Sequence, residues 1–180
     1  MRAKWENYFM RLAIVVSSRS TCVKRQVGAV IVSPNRHILA TGYNGSLPRQ
    51  VHCTASGCLL QNGKCVRTMH AEANAVTQSA AEGVSIRGAD IYITYAPCLV
   101  CFKLLIASGI RDIYYLESKI DPMIQEIYSG RKNLFKVTRE QNAPIIPNES
   151  HIPPHEQFDH LWFIVYLFLL ALTAIICLKI

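Results

Sequence analysis

At 180 residues, 51% of them apolar, the chain has room for one ordinary domain of about 130 to 150 residues with a tail, and enough apolar side chains for a packed core. No fixed-period repeat and no low-complexity segment occurs, which excludes a solenoid. The formal charge of +7 is concentrated early, where residues 1–36 hold seven Lys/Arg against the single acid Glu6; such a face suits phosphate-bearing partners (nucleotides, nucleic acid, anionic headgroups), and equally a solvated surface with no ligand.

In chain order, "WENYFMRLAIVVSS" (5–18) spaces its apolar residues as an amphipathic helix does. "VGAVIVS" (27–33) and "HILATGY" (37–43) read as strands joined by the turn "PNR", a hairpin. Residues 44–68 read as loop, with three cysteines. "HAEANAVTQSAAEG" is Ala-rich and closes on a glycine, a helix ending near Gly83. "ADIYITY" is a strand, "CLVCFKLLIASG" a helix ending at Gly109, "RDIYYLE" a strand, "DPMIQEIYSG" a helix and "LFKVT" a short strand. This order predicts an α/β domain over 1–138, with helices packed across a sheet that is largely parallel after the hairpin.

From 139 to 158 the text turns polar and holds four prolines, "REQNAPIIPNESHIPPHEQF", a linker without a core of its own. "LWFIVYLFLLALTAIICL" (161–178) then runs for eighteen residues without a charge; a helix of that length spans about 27 Å, close to the hydrocarbon thickness of a bilayer. Trp162 and Tyr166 suit an interface and Lys179 can snorkel. The expectation for 159–180 is a single-pass C-terminal transmembrane anchor holding the domain at the cytoplasmic face of a membrane; a buried core helix is the competing reading.

The seven cysteines are an odd number, and no N-terminal signal peptide is evident because the first apolar run is short, so a reduced compartment is favoured. Clustered thiols there are metal ligands more often than disulfides. His70, Cys98 and Cys101 supply one imidazole and two thiolates, the three ligands a hydrolytic zinc site needs, with a fourth position left for water. Cys98 and Cys101 stand three apart at a helix start, where the N-terminus favours their anions and Pro97 suits the turn. Two residues of mid-helix rotation would part His70 from Glu72, but at a helix start His70 stands partly outside the regular turn and leaves Glu72 free as a proton shuttle.

A lone H-x-E is common by chance, and a lone C-x-x-C can be a redox pair or half of a structural zinc site. Together, in this order, they form the H-x-E…P-C-x-x-C signature of zinc-dependent nucleobase deaminases. Cys22, Cys53, Cys58 and Cys65 remain, with Cys177 in the tail; four thiolates can close a structural zinc site, His52 can replace one of them, and ordinary thiols are the plain alternative.

"VGAVIV", "GYNGS", "HC", "CVRTMHAEANAV" and "YITYAPCLVCFKLLIASGIRDIYY" resemble the deoxycytidylate (dCMP) deaminases and the related competence-associated deaminase-like proteins over roughly residues 5 to 138. The resemblance implies a cytidine deaminase-like three-layer α/β/α fold with a five-stranded mixed sheet. It also implies zinc-dependent hydrolysis of dCMP to dUMP and ammonia, supplying dUMP for thymidylate synthesis. His70, Cys98 and Cys101 would hold the catalytic zinc, Glu72 would move the protons, and Asn44 would lie near the deoxyribose. Lys24, Arg25 and Arg67, basic residues flanking the motifs, are candidates for the 5′-phosphate.

Further implications of the resemblance are a second, structural zinc, a hexamer, and regulation by dCTP and dTTP with Mg2+ accompanying the nucleotide. The chain departs from the family loop GYNGSPxG with Leu47 and Arg49 at the Pro and second Gly positions, and has Lys119 where a tyrosine often follows the fourth strand. No polynucleotide is expected as a partner. Two other readings stay open: a deaminase of another cytosine- or adenine-containing substrate, and a membrane-tethered zinc-binding interaction protein without turnover.

Overall fold

The first helix, α1 (Trp5–Ser17), turns Phe9, Met10 and Ala13 inward. Its last turn is closed by its own serines: the Ser17 hydroxyl donates to the Ile14 carbonyl and the Ser18 hydroxyl to that of Val15, both at 2.7 Å, which satisfies carbonyls left over at a helix end. The computed structural model describes residues 2–128 and 134–138.

Strands β1 (Gly28–Val32) and β2 (Ile38–Tyr43) form the expected antiparallel hairpin. The stretch read as loop contains short pieces of structure: β3 (Gly45–Ser46), α2 (Cys53–Ser56), β4 (Leu60–Gln61), β5 (Lys64–Cys65) and β6 (Thr68–Met69). β3 pairs with β6 and β4 with β5, as two separate ladders. Two-residue ladders carry no hydrophobic period, so a pattern of alternation has nothing to register. The chain continues through α3 (Ala71–Ala81), β7 (Asp90–Tyr95), α4 (Leu99–Ala107), β8 (Asp112–Glu117), α5 (Pro122–Ile127) and β9 (Leu134–Lys136). The Asp121 carboxylate caps α5 by accepting the Met123 N–H at 3.0 Å, with Pro122 in the first turn.

The main sheet has five strands in the order β2-β1-β7-β8-β9. β1 runs antiparallel to both β2 and β7, while β7, β8 and β9 are parallel, so the expected mixed sheet is observed. Alternation along β1 assigns its two faces: Ala29 and Ile31 join Ala71 and Ala75 of α3 and Phe102 and Leu105 of α4. Val30 and Val32 join Phe9, Met10 and Ala13 of α1. Ile91, Ile93 and Ile113 have no solvent exposure, each stabilising the core by about 1.5–3 kcal/mol.

Both helical layers come close to the sheet because glycine stands beneath them. A side-chain carbon on Gly28 would strike the Ala13 carbonyl of α1, and one on Gly42 the Ala71 carbonyl of α3. Gly42 thereby sets the height at which the start of α3 sits over β2. Among the described residues no helix is long and apolar enough to cross a membrane. The linker (139–158), the expected anchor (159–180) and Cys177 lie outside the described residues.

Candidate active site

Two helix starts meet where β7 ends. His70 and Cys98 each occupy the position just before a helix, with extended backbone (φ −73°, ψ 152° and φ −72°, ψ 165°), and no side chain caps either helix. The first-turn N–H groups of α4 therefore remain available to stabilise a sulfur anion. Each start is held by its own first helical bond, Asn74 N–H to the His70 carbonyl (2.9 Å) and Phe102 N–H to the Cys98 carbonyl (2.8 Å). The Asn74 side chain also donates to the Tyr43 carbonyl at 2.9 Å, tying α3 to the end of β2.

This arrangement brings the Cys101 and Cys98 sulfurs to 3.4 and 3.6 Å from His70 Nδ1, and the three donor atoms lie within 4.8 Å of one another. For zinc bonded at about 2.1 Å to nitrogen and 2.3 Å to sulfur in tetrahedral geometry, the nitrogen-to-sulfur edge is about 3.6 Å. The donor set therefore fits zinc in identity and spacing. His70 is exposed while Cys101 is buried, so the cluster opens to solvent on the imidazole side.

Electrostatics within the cluster follow from crowding. Hydrogen bonds from Cys101 and then His70 pull the Cys98 thiol down to about 3. Its neighbour Cys101 is pushed the other way, by that same hydrogen bond and by burial. His70 is raised, chiefly by its hydrogen bond with Cys98. A bound divalent cation would favour the thiolate form of both. Glu72 is 4% exposed and burial raises its carboxyl above the ordinary range, while its side chain meets Cys101. As expected at a helix start, His70 and Glu72 both reach the cluster.

The other candidates separate into two groups. The Arg25 guanidinium lies 3.8 Å above the Tyr95 ring, three residues before Cys98. Asn44 is buried and its amide is engaged: Oδ1 accepts the Val27 N–H (2.8 Å) and the Ser20 hydroxyl (2.7 Å), and Nδ2 donates to the Arg25 carbonyl (2.8 Å). It thus pins the 20–27 segment, Arg25 included, to the end of β2. Lys24 acts electrostatically on Cys58, and Arg67 donates to the Val51 carbonyl at 3.4 Å, so both face the cysteine-bearing excursion. Tyr95 and Ser20 had no signal in the sequence, because a contact between segments far apart in the chain leaves no local spacing.

Cys53, Cys58 and Cys65 form a second group whose sulfurs lie within 4.8 Å, with Cys53 and Cys65 at 3.7 Å. Cys22 and His52 stand outside this group. The Cys22 N–H is turned to the Ser20 hydroxyl at 3.2 Å, and His52 precedes α2, where its carbonyl takes the Ala55 N–H at 3.0 Å. Burial leads the causes that raise Cys53 to about 11. Burial also pushes Cys65 up, but hydrogen bonds from the Arg67 backbone, Thr68 and Cys53 outweigh it and bring Cys65 to about 6.

Residues 3–117 match the family described as the cytidine and deoxycytidylate deaminase zinc-binding region. The chain is 44% identical over 128 residues to ComE operon protein 2 of Bacillus subtilis, covering 71% of this chain and 67% of that protein. To the deoxycytidylate deaminase of Saccharomyces cerevisiae it is 38% identical over 124 residues, 66% of this chain but 39% of the yeast protein. The crystal structure of dCMP deaminase from the cyanophage S-TIM5 in complex with dCMP and dUMP superposes with a TM-score of 0.62 at 28% identity, over 77% of this chain and 98% of the phage chain. With every main-sheet strand but β9 inside the matched span, the chain has the cytidine deaminase-like α/β fold and belongs to the cytidine and deoxycytidylate deaminase family.

Proposed function

We propose that this chain hydrolyses dCMP to dUMP and ammonia. The observation that carries the reading is Glu72, a carboxyl buried beside a three-donor zinc-type cluster; a purely structural zinc site has no use for it. The cyanophage relative with bound dCMP and dUMP supports the choice of substrate.

The reaction exchanges the C4 amino group of cytosine for a carbonyl oxygen from water. A water must lose a proton, N3 must gain one, and the amino group must be protonated to leave as ammonia. A single carboxyl beside the reacting atoms serves each transfer in turn. Burial makes the Glu72 carboxyl hold a proton more readily than a solvated one, which suits a group that takes a proton and gives it back. His70, Cys98 and Cys101 would hold zinc, which when bound supplies Lewis-acid activation of water. Arg25, braced on Tyr95, is the best placed of the three basic candidates to meet the 5′-phosphate, and Asn44 holds its segment in place.

A second, structural zinc on Cys53, Cys58 and Cys65, with Cys22 as fourth ligand, belongs to the same proposal. Its support is the convergence of the three sulfurs; Cys22, which stands outside that group, would have to swing in to complete it. Hexamer formation, regulation by dCTP and dTTP with Mg2+, and a supply of dUMP to thymidylate synthesis are carried over from family membership. A C-terminal anchor at the cytoplasmic face of a membrane is proposed from the uncharged run 161–178.

The test follows ammonia release by the full chain in detergent, with zinc quantified, from dCMP, deoxycytidine, cytidine, dCTP and a short single-stranded DNA. Turnover of dCMP is expected, falling by about 10²–10⁴-fold in Glu72→Ala. A zinc-loaded chain that deaminates none of these is instead an interaction protein.

A further inference from the structure

The excursion between β2 and α3 leaves aliphatic side chains in water. Val51, Leu59 and Val66 are 54%, 55% and 52% exposed. Leu59 and Val66 face each other at the base of the β4–β5 hairpin, joined by the Val66 N–H to the Leu59 carbonyl at 2.9 Å, and Val51 is tied in through Arg67. The sulfurs of Cys53, Cys58 and Cys65 converge beside these pieces. A patch built this way needs an occupant.

Charge and composition decide which. No Asp or Glu occurs between Glu6 and Glu72, a stretch with eight Lys/Arg. Lys24, Lys64 and Arg67 lie on or beside the excursion and, among the described residues, make no ion pair. Residues 44–69 contain no Phe, Tyr or Trp, so the patch has neither the stacking platform of a single-strand binder nor the aromatic anchors of a protein interface. Aliphatic side chains rimmed by cations alone are what an anionic bilayer surface takes up.

We propose that the excursion is a bilayer-docking surface for anionic phospholipid, its aliphatic residues entering the headgroup boundary while Lys24, Lys64 and Arg67 meet phosphate. It rests on the anchor reading above for delivery: a tethered domain meets lipid at high effective concentration, so a weak second contact suffices. Docking would orient the domain relative to the bilayer.

The experiment reconstitutes the full chain with vesicles of phosphatidylcholine alone or mixed with phosphatidylserine, and follows flotation and backbone hydrogen exchange. Flotation with phosphatidylcholine tests the anchor. Slower exchange across 58–67 only in the phosphatidylserine mixture, reversed by salt, tests the docking surface. Lys64→Glu is expected to weaken this protection by at least about fivefold, as about 1 kcal/mol per basic residue near an anionic surface implies, and Leu59→Ser/Val66→Ser to abolish it while flotation persists. Equal exchange in both vesicle types overturns the proposal and leaves the anchor standing. Protection that grows with protein concentration without lipid also overturns it, in favour of a second copy. A chain that floats with neither vesicle overturns both readings.

Discussion

His70 Nδ1 and Cys101 Sγ stand 3.4 Å apart, although 31 residues of chain separate them. Replacing one donor while keeping its volume tests what that closeness is for. Cys101→Ser is expected to keep the fold, read by circular dichroism, and to lose about one zinc per chain together with turnover, since oxygen in a neutral hydroxyl is a poor substitute for thiolate. Unchanged zinc content would remove Cys101 from the ligand set.

Glu72 makes the site costly to fold. A carboxyl whose folded pKa is raised binds more protons native than unfolded, so its contribution falls as pH rises through the unfolded value. In metal-depleted protein, Glu72→Gln is therefore expected to melt higher than the parent at pH 7 and to converge with it near pH 4. Thermal scans at both pH values check this. A parent that melts higher than Glu72→Gln at pH 7 would contradict the burial argument.

Gly42 seats the start of α3, which carries His70 and Glu72. Any side chain there meets the backbone of α3, which cannot rotate aside, so Gly42→Val is expected to cost about 2 kcal/mol or more. Urea denaturation measures it, and a cost under about 0.5 kcal/mol would show that α3 can lift off β2.

The second metal group is tested by counting. Cys53→Ser and Cys22→Ser are each expected to lower zinc from about two to about one per chain while dCMP turnover persists at low temperature. If Cys22→Ser alone leaves two zincs, the fourth position is filled by His52 or water.

Arg49 stands where the family loop that the chain resembles has a glycine. It holds φ 64°, in the left-handed region where a side chain costs about 1–2 kcal/mol and glycine does not. Allowing for the greater freedom of unfolded glycine, Arg49→Gly is expected to stabilise the chain by up to about 1 kcal/mol. A measured loss of stability would mean that the Arg49 side chain makes a compensating contact.

Much of the fold was legible because its elements are long. The α1 stripe carries a helical period, β1 is an apolar run buried at every position and β7 is buried at four of its six, and the chain order α-β-β-α-β-α-β-α-β restricts the sheet to few arrangements. The ladders β3–β6 and β4–β5 were illegible because two residues hold no period. The basic candidates were legible as charges and not as positions: Arg25 goes to Tyr95, while Lys24 and Arg67 go to the excursion.

By itself the sequence singled out the donor types of the cluster and a carboxyl beside them, because H-x-E and P-C-x-x-C each sit at one helix start and local backbone geometry sets which way those side chains leave it. Only the tertiary structure decided that the two starts share a centre, that Cys53, Cys58 and Cys65 converge, and that Asn44 serves as a pin for the 20–27 segment. Those contacts join segments brought side by side by the sheet and by a glycine that lets a helix approach it, and packing of that kind has no signature in residue spacing.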